Sequence, residues 1–163
     1  MTVADNKNAK FLWDIVEDIK ICMMVTQRQG SVQARPMRGW ARADDNVIWF
    51  VTEKSSPKTA EAEDESAVCL TYADPKRNSY VSLSGSVDIV SDQGQLTELW
   101  NENLTGYFGK PLDERAALLR FTPEKGEYWD GPGNPLIVAI KFVEAAVTGK
   151  RPDMGTNDKI EFD

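Results

Sequence analysis

The sequence contains no histidine among its 163 residues. This absence excludes a Ser-His-Asp catalytic triad, a histidine-ligated haem and any zinc site built on imidazole. It also removes the side chain that most often transfers protons near neutral pH. We therefore expect any chemistry to depend on a cofactor that brings its own reactivity.

Cysteine is scarce as well. Cys22 and Cys69 lie in the separate apolar runs ICMMV and AVCLTY, not in a C-x-x-C pair. Separated cysteines do not form a zinc knuckle. Two cysteines in apolar runs of an intracellular chain are typical of reduced core residues, so we expect no disulfide.

Long apolar runs and a strong positive charge are also missing. No run approaches the roughly 20 residues that a bilayer-spanning helix needs, and the first ten residues, MTVADNKNAK, lack the apolar core of a signal peptide. We therefore expect a cytoplasmic protein. The formal net charge of −7, from 26 acidic and 19 basic residues, repels nucleic acid and anionic lipid, so neither is an expected partner.

The pattern of apolar and turn residues predicts a mainly β (α+β) domain. The length fits one domain, with a barrel over residues 1–148 and a polar C-terminal tail, docked or mobile, over 149–163. Six or seven mostly antiparallel strands favour a closed or nearly closed barrel, which hides strand edges. No G-x-G-x-x-G and no βαβ alternation is present, which argues against a Rossmann domain. The predicted helices span 4–20, 92–104 and 113–119, and the predicted strands span 21–26, 34–42, 47–52, 66–73, 78–90, 121–129 and 136–148.

The longest predicted strand, 78–90, has the clearest pattern. Apolar residues such as Val81, Leu83 and Val87 alternate with serines and Asp88, so one face is buried and the other is polar. Gly85 in its middle predicts a bulge or a close backbone approach. The strand 121–129 is expected to be interrupted around its Pro-Glu-Lys-Gly segment.

The stretch 33–65 carries the candidate ligand site. A β-rich run ends at Thr52, and Ser55-Ser56-Pro57 then forms a typical helix start, with a hydroxyl cap before proline. A helix N-terminus attracts phosphate, and a bound anion would relieve the conflict between Lys58 and the helix dipole. Residues 35–58 hold five basic and three acidic residues. The alternatives are an ordinary cap, a solvated lysine and a solvated strand edge.

Three motifs in this order resemble one family. RPMRGW, then IWFVTEKSSPK, then FTPEKGEYWDG are similar to segments of the FMN-binding split barrels of the pyridoxamine 5′-phosphate oxidase-like family, and the acidic chain with its polar tail resembles the general stress protein branch. The resemblance covers residues 21–141. It implies an antiparallel split barrel with an N-terminal helix and peripheral helices, and FMN as the cofactor.

The resemblance also implies roles for residues on two strands. Arg35, Pro36 and Met37 would pass beside the flavin. Val51 and Thr52 would offer backbone groups and a hydroxyl to the edge of the isoalloxazine ring. These five positions form the first half of the expected binding site.

The remaining residues of the expected site would bind the phosphate of the flavin and contact its ring from a second subunit. Ser55, Ser56 and Lys58 would bind the phosphate, in agreement with the helix-start argument. Trp129 would approach the flavin from a second subunit, since sites in this family lie at a dimer interface; the alternative is a core aromatic. A polar residue that contacts the flavin in the family would correspond to Tyr80 or to the nearby Asn78.

The aromatic content also points to a homodimer. The five tryptophans, Trp13, Trp40, Trp49, Trp100 and Trp129, are numerous for a chain of 163 residues. Some of them would remain on the surface of a single small barrel, and aromatic side chains are enriched at interfaces.

One departure from the family limits the expected activity. True pyridoxamine phosphate oxidases carry a C-terminal Arg-x-His segment, and this chain, ending PDMGTNDKIEFD, has no histidine. We therefore expect an FMN-dependent oxidoreductase, related to stress, that does not oxidise vitamin B6. The alternatives are a non-enzymatic protein that stores or senses flavin, and a barrel that binds deazaflavin or another phosphorylated ligand. No catalytic side chain or substrate can be named from the sequence.

Overall fold

The computed structural model describes residues 7–28, 30–54, 67–133 and 135–162. The predicted helix start at Ser55, Ser56 and Lys58 lies outside these residues. The helices in the described part of the chain are α1 (Lys7–Ile19), α2 (Gln93–Leu99), α3 (Glu102–Phe108) and α4 (Pro135–Thr148). The strands are β1 (Ile21–Arg28), β2 (Ser31–Arg38), β3 (Trp40–Arg42), β4 (Val47–Glu53), β5 (Val68–Asp74), β6 (Ser79–Val90), β7 (Ala116–Asp130) and β8 (Thr156–Glu161).

The eight strands of the described residues form one antiparallel sheet. Its order is β2-β1-β5-β6-β7-β4-β3, and β8 pairs with β7 outside this path. The long strand β7 pairs with β6 along most of its length, with β4 over its first half and with β8 over its second half. The predicted fold class, a mainly β split barrel with an N-terminal helix and further helices, is confirmed.

Helix α1 packs on the barrel core, as its apolar spacing predicts. Leu12, Trp13 and Val16 are buried in the main hydrophobic cluster, together with residues from β1, β2, β4, β5, β6, β7 and β8. Because both outer parts of the sheet, β2 and β4, bury side chains in this one cluster, the sheet curls around it. The helix ends at Ile19. The next residue, Lys20, has a left-handed backbone conformation with φ of 66°, and its N–H donates to the Val16 carbonyl at 3.0 Å.

The predicted irregularity at Gly85 is confirmed. The β6–β7 register shifts between Ser84 and Gly85, which pair with Lys125 and Pro123. Glu124 is therefore the extra residue of a bulge in β7, and its carbonyl accepts a hydrogen bond from Phe162 N at 2.9 Å instead. The bulge also explains why Pro123 does not end β7, which runs without the predicted interruption.

Two predicted helices are wrong in part. The segment 113–119 is not helical: β7 begins at Ala116, because Ala116–Phe121 pairs with β4. The segment 92–104 is not one helix but parts of α2 and α3. Asp92 caps α2 through Gln95 N, and Asn101 caps α3 through Leu104 N, so a new helix begins where the sequence predicts continuity.

The predicted strand 136–148 is also wrong, because these residues form helix α4. None of its described side chains is buried, although most are apolar. The exposed apolar side chains include those of Leu136, Ile137, Ile140, Phe142, Val143 and Val147. Within the described residues, no helix is long and apolar enough to cross a membrane.

The C-terminal tail contributes β8, a strand that the sequence analysis does not predict. Strand β8 pairs with residues 125–130 of β7. Its Ile160 side chain enters the main core cluster. Of the two cysteines, Cys22 is buried in the core, as predicted, while Cys69 is only partly buried, and the two are not joined by a disulfide.

Candidate functional site

Arg35, Pro36 and Met37 lie in the second half of β2. The half-buried Arg35 guanidinium donates to the Thr26 hydroxyl at 3.2 Å and to the Gln33 side-chain oxygen at 3.4 Å. The Met37 side chain points into the core, with 6% of its surface exposed, while its carbonyl accepts from the Cys22 thiol at 3.6 Å. Of these three residues, Arg35 therefore presents the charged group, and Met37 contributes mainly through its backbone.

Val51 and Thr52 lie near the end of β4. Val51 pairs with Leu118 and Thr52 pairs with Ala117 on β7. Thr52 is buried with 5% of its surface exposed, and Val51 is half-buried against the apolar residues of α2, α3 and β7. The chain then passes through the exposed Lys54 into the segment that holds Ser55, Ser56 and Lys58, so β4 positions the entrance to the predicted phosphate loop.

Asp113 and Arg115 fix this end of β4, a role that the sequence analysis missed. The Arg115 carbonyl accepts from Lys54 N at 2.8 Å, and the Arg115 guanidinium donates to the buried Asp113 carboxylate at 2.9 Å and to the Phe108 carbonyl at 2.6 Å. The side-chain hydrogen bond from Arg115 lowers the pKa of Asp113 to about 2. The Asp-x-Arg spacing is the only sequence signal of this pair, and it is a weak one.

Trp129 lies at the other end of β7, and the structure excludes it from the buried core. Its indole is 38% exposed, and its cross-strand neighbours are Tyr80 on β6 and Asn157 on β8. It lines a groove of about 740 Å³ with Asn78, Tyr80, Phe142 and Arg151, among others. An exposed indole in a groove of aromatic residues with a nearby cation suits a planar ligand.

The structure does not bring Trp129 together with Val51 in one chain. Val51 is paired with Leu118, and Trp129 follows Leu118 by eleven residues on the same strand. At roughly 3.3 Å per residue, the two positions are about 36 Å apart along β7, less any shortening by its bulge and bend. This length of strand is greater than the length of a flavin mononucleotide.

Positively charged side chains lie on or directly after the two strands that carry the predicted flavin residues. Arg35 and Lys54 provide positive charge, and Val51 provides an apolar surface. Within the described residues, no group of three or more cysteine, aspartate or glutamate side chains is arranged to hold a metal ion. The pKa values that burial raises belong to Cys22, Tyr72 and Tyr128, none of which is among the predicted site residues.

Comparison with known proteins identifies related folds and one family model. The model described as pyridoxamine 5′-phosphate oxidase like matches residues 7–153. None of the curated proteins matches the chain. A crystal structure of a candidate general stress protein 26 from Jannaschia sp. CCS1 is 26% identical, with a TM-score of 0.77, over 98% of this chain and 99% of that chain.

Two further solved structures share the fold. A protein related to general stress protein 26 from Clostridium acetobutylicum, of the pyridoxinephosphate oxidase family, is 20% identical with a TM-score of 0.68, over 94% of this chain and 95% of that chain. The general stress FMN/FAD binding protein from Xanthomonas citri is 24% identical with a TM-score of 0.65, over 74% of this chain and 86% of that chain.

Proposed function

Because the chain belongs to the pyridoxamine 5′-phosphate oxidase-like family, we propose that it is a flavoprotein that binds FMN and acts as an oxidoreductase. The observation that carries the proposal is the family match over residues 7–153, which covers the predicted flavin residues on β2 and β4 and Trp129 on β7. A relative of the same fold is described as an FMN/FAD binding general stress protein. Flavin binding and a role in stress are therefore the expected properties of this chain.

The residues present fit a flavin with a phosphate tail. Arg35 supplies a guanidinium, which suits a phosphate or the polar edge of the ring. The phosphate would be bound by two ammonium groups, from Lys54 and Lys58, and by the hydroxyls of Ser55 and Ser56. Of these four residues, only Lys54 is among the described ones. Val51 supplies an apolar contact for the ring. The bound flavin would accept and pass on hydride or electrons.

The protein side chains bind and orient in this proposal, and none transfers a proton to substrate. The chain has no histidine, and Asp113 is held as a carboxylate by Arg115. These 163 residues contain no histidine with which to form the family's Arg-x-His pair, which argues against the oxidation of pyridoxamine phosphate. We assign the reaction to another small redox partner.

We propose further that the complete site is shared between two copies of the chain. Arg35, Val51 and the phosphate loop of one copy would meet Trp129 of the other, since Val51 and Trp129 are too far apart in one chain. Helix α4 supports this assembly: its large apolar side chains are exposed, and a second copy is the occupant that would also complete the flavin site. Exposed apolar surface of this extent is typical of an interface.

The experiment that tests the cofactor is an absorbance spectrum of the purified protein, followed by mass measurement of the ligand released on unfolding. We expect the two visible bands of an oxidised flavin and the mass of FMN. A single-banded deazaflavin spectrum, or a colourless protein that FMN does not convert into a coloured one, would contradict the assignment. Bleaching of the flavin by NADH or NADPH, followed by reoxidation, would separate an oxidoreductase from a flavin store or sensor.

A further inference from the structure

One face of the sheet carries no charged side chain. Along β1, β2, β5 and the first half of β6, every second residue points to the inner side of the sheet, and the residues between them are exposed or half-buried. These outward residues lie beside one another in the strand registers. We call them the uncharged face: Ile21, Met23, Val25, Val32, Ala34, Pro36, Cys69, Thr71, Ala73, Tyr80, Ser82 and Ser84. At the chain average of 28% charged residues, about three of these twelve positions would carry a charge.

The uncharged face is open, and most of its members on β5 and β6 are small. Val32 is 67% exposed and Ile21 is 55% exposed. Small side chains let the backbone of a second sheet approach to about 10 Å, the usual spacing of stacked sheets. Charge returns only at the borders, with Arg38 at the end of β2 and with Lys125 and Glu127 on β7. An exposed surface of this composition, spread over four strands, is typical of an interface.

The two halves of the proposed flavin site lie beside opposite corners of this face. Trp129 on β7 and Arg35 on β2 are separated by four strand spacings, which is about 19 Å. The registers place Trp129 level with Ala73 of β5, and Arg35 level with Leu70 of the same strand. Thr71 therefore lies close to the midpoint between the two corners, and a two-fold axis that passes beside it exchanges them.

We propose that the uncharged face docks on the same face of a second copy of the chain, across a two-fold axis that passes beside Thr71. Each Trp129 then lies beside β2 of the partner, the strand that carries Arg35, and two equivalent flavin sites form. This choice of corners rests on the proposed shared flavin site, whereas the face itself is defined by its strand registers and its lack of charge.

A second copy is the partner that the charge pattern favours. Beside a two-fold axis each side chain meets its own equivalent, so a charged residue there would face a like charge. The uncharged face removes this repulsion in a chain whose net charge is −7. A partner recognised through its charge would require charged side chains, which only the borders of the face provide.

The available area is sufficient for a stable dimer. The face is four strands wide and about six residues long, roughly 19 by 20 Å, or about 400 Å². Helix α4 adjoins it, because Phe142 and Tyr80 line the same groove. The 14 residues of α4 add about 200 Å², at a rise of about 1.5 Å per residue and a width of about 10 Å. Two copies would together bury roughly 1,200 Å², and a specific interface needs about 1,000 Å².

The test uses Thr71→Glu and Thr71→Lys, each measured by light scattering on flavin-free protein. The parent should have twice the chain mass of 18.2 kDa. Each variant should dimerise at least about tenfold more weakly, because two like charges would meet beside the axis. An equimolar mixture of the two variants should recover the dimer, since a carboxylate then meets an ammonium group.

The matched control is Thr122→Glu, which adds the same charge at an exposed position of β7 outside the uncharged face and should leave the dimer intact. A parent that scatters as a monomer would overturn the proposal, as would a dimer that tolerates both changes at Thr71 or a mixture that stays monomeric. Should the Thr71 variants not fold, as judged by circular dichroism, Ala34→Glu takes their place, and an undiminished dimer would overturn the proposal. Absorbance reads flavin content separately, so FMN-loaded dimers of Thr71→Glu would overturn the docking face and leave the flavin assignment in place.

Discussion

Gly85 on β6 lies against the backbone of Thr122 on β7, so closely that a Cβ atom at Gly85 would be 2.1 Å from the Thr122 carbonyl oxygen. It would also lie 2.9 Å from the Pro123 Cα. These are backbone atoms within a bulged strand pair, which cannot move aside as a flexible side chain can. The absence of a side chain at Gly85 is what allows β6 and β7 to pair across the bulge.

Gly85→Ala should therefore destabilise the protein. Overpacking of this kind typically costs about 1–3 kcal/mol, and urea unfolding would measure it. Gly106→Ala is the matched control, because Gly106 lies in α3 with open space around its Cβ position. Alanine at Gly106 should stabilise the helix by roughly 0.5–1 kcal/mol. Equal stability of Gly85→Ala and the parent would contradict the close approach.

Much of the fold could be predicted from local patterns. The alternation around Gly85 identifies β6 and its bulge. An apolar stripe at helical spacing identifies α1; it consists of Phe11, Leu12, Ile15, Val16 and Ile19. In both places the local sequence and the final packing favour the same structure. The same is true of the apolar run in β4, whose burial on both faces matches its composition.

The errors lie where packing partners distant in sequence decide the outcome. Ala116 and Leu119 have good helix propensity, but they pair with β4 and so become strand, because tertiary pairing overrides propensity. The apolar run Ile137 to Ile140 was ambiguous between strand and helix. Strand β8 has one buried apolar residue, Ile160, among polar neighbours. A single apolar residue does not produce the alternating pattern from which a strand is predicted.

The candidate site could be predicted only in part. The motif resemblance predicts that Arg35, Val51 and Trp129 belong to a flavin site, but no sequence pattern shows that Trp129 lies at the other end of β7 from the residue that pairs with Val51. The pairing of Asp113 with Arg115 was also hidden, because its importance depends on the hydrogen bond from Lys54 to the Arg115 carbonyl.

The Asp113–Arg115 pair predicts a loss of stability in acid. The pKa of Asp113 is lowered from 3.8 to about 2. A carboxyl group whose pKa is lower in the folded state stabilises the protein above its unfolded pKa, and this contribution is lost as the pH falls through the folded value. Asp113→Asn should therefore be less stable than the parent at neutral pH.

Urea unfolding of both proteins as a function of pH would test this account. The difference between them should be constant near neutral pH and should shrink as the pH falls from 3.8 towards about 2. Glu114→Gln is the control, since the neighbouring Glu114 carboxylate is 88% exposed; it should unfold like the parent. A difference that does not change with pH would exclude a stabilising charge on Asp113.

Helix α4 provides a test of assembly. We expect light scattering at micromolar concentration to give twice the chain mass of 18.2 kDa. Ile140→Glu should shift the protein towards the monomer, because dimerisation would then bury a carboxylate. Ile140 is exposed in the single chain, so its replacement should leave the fold intact, as circular dichroism would show.

The control for assembly is Glu144→Gln, a change at an exposed position of the same helix, which should preserve the dimer. A parent that scatters as a monomer would remove the interface. A dimer that tolerates Ile140→Glu would show that α4 is not part of the interface.

Lys58 provides a test of the phosphate site. A charged hydrogen bond is worth roughly 1.5–3 kcal/mol, and each 1.4 kcal/mol is about a factor of ten in affinity. Lys58→Ala should therefore weaken FMN at least about tenfold in a fluorescence titration, without changing the melting temperature of the flavin-free protein. Lys76→Ala, an exposed cation in the β5–β6 turn, should bind FMN like the parent. Equal FMN affinity in Lys58→Ala would place the phosphate elsewhere.

The shared flavin site is tested most directly with mixed dimers of two variants that carry different tags. Arg35→Ala and Trp129→Ala should each bind little flavin as homodimers, since every site then lacks one of its two halves. In the mixed dimer, one site combines both defects and the other combines an intact Arg35 with the partner's intact Trp129. Our account predicts one tightly bound flavin per mixed dimer, measured by absorbance. A mixed dimer that binds no flavin would contradict it, because a site built within one chain would be defective in both copies.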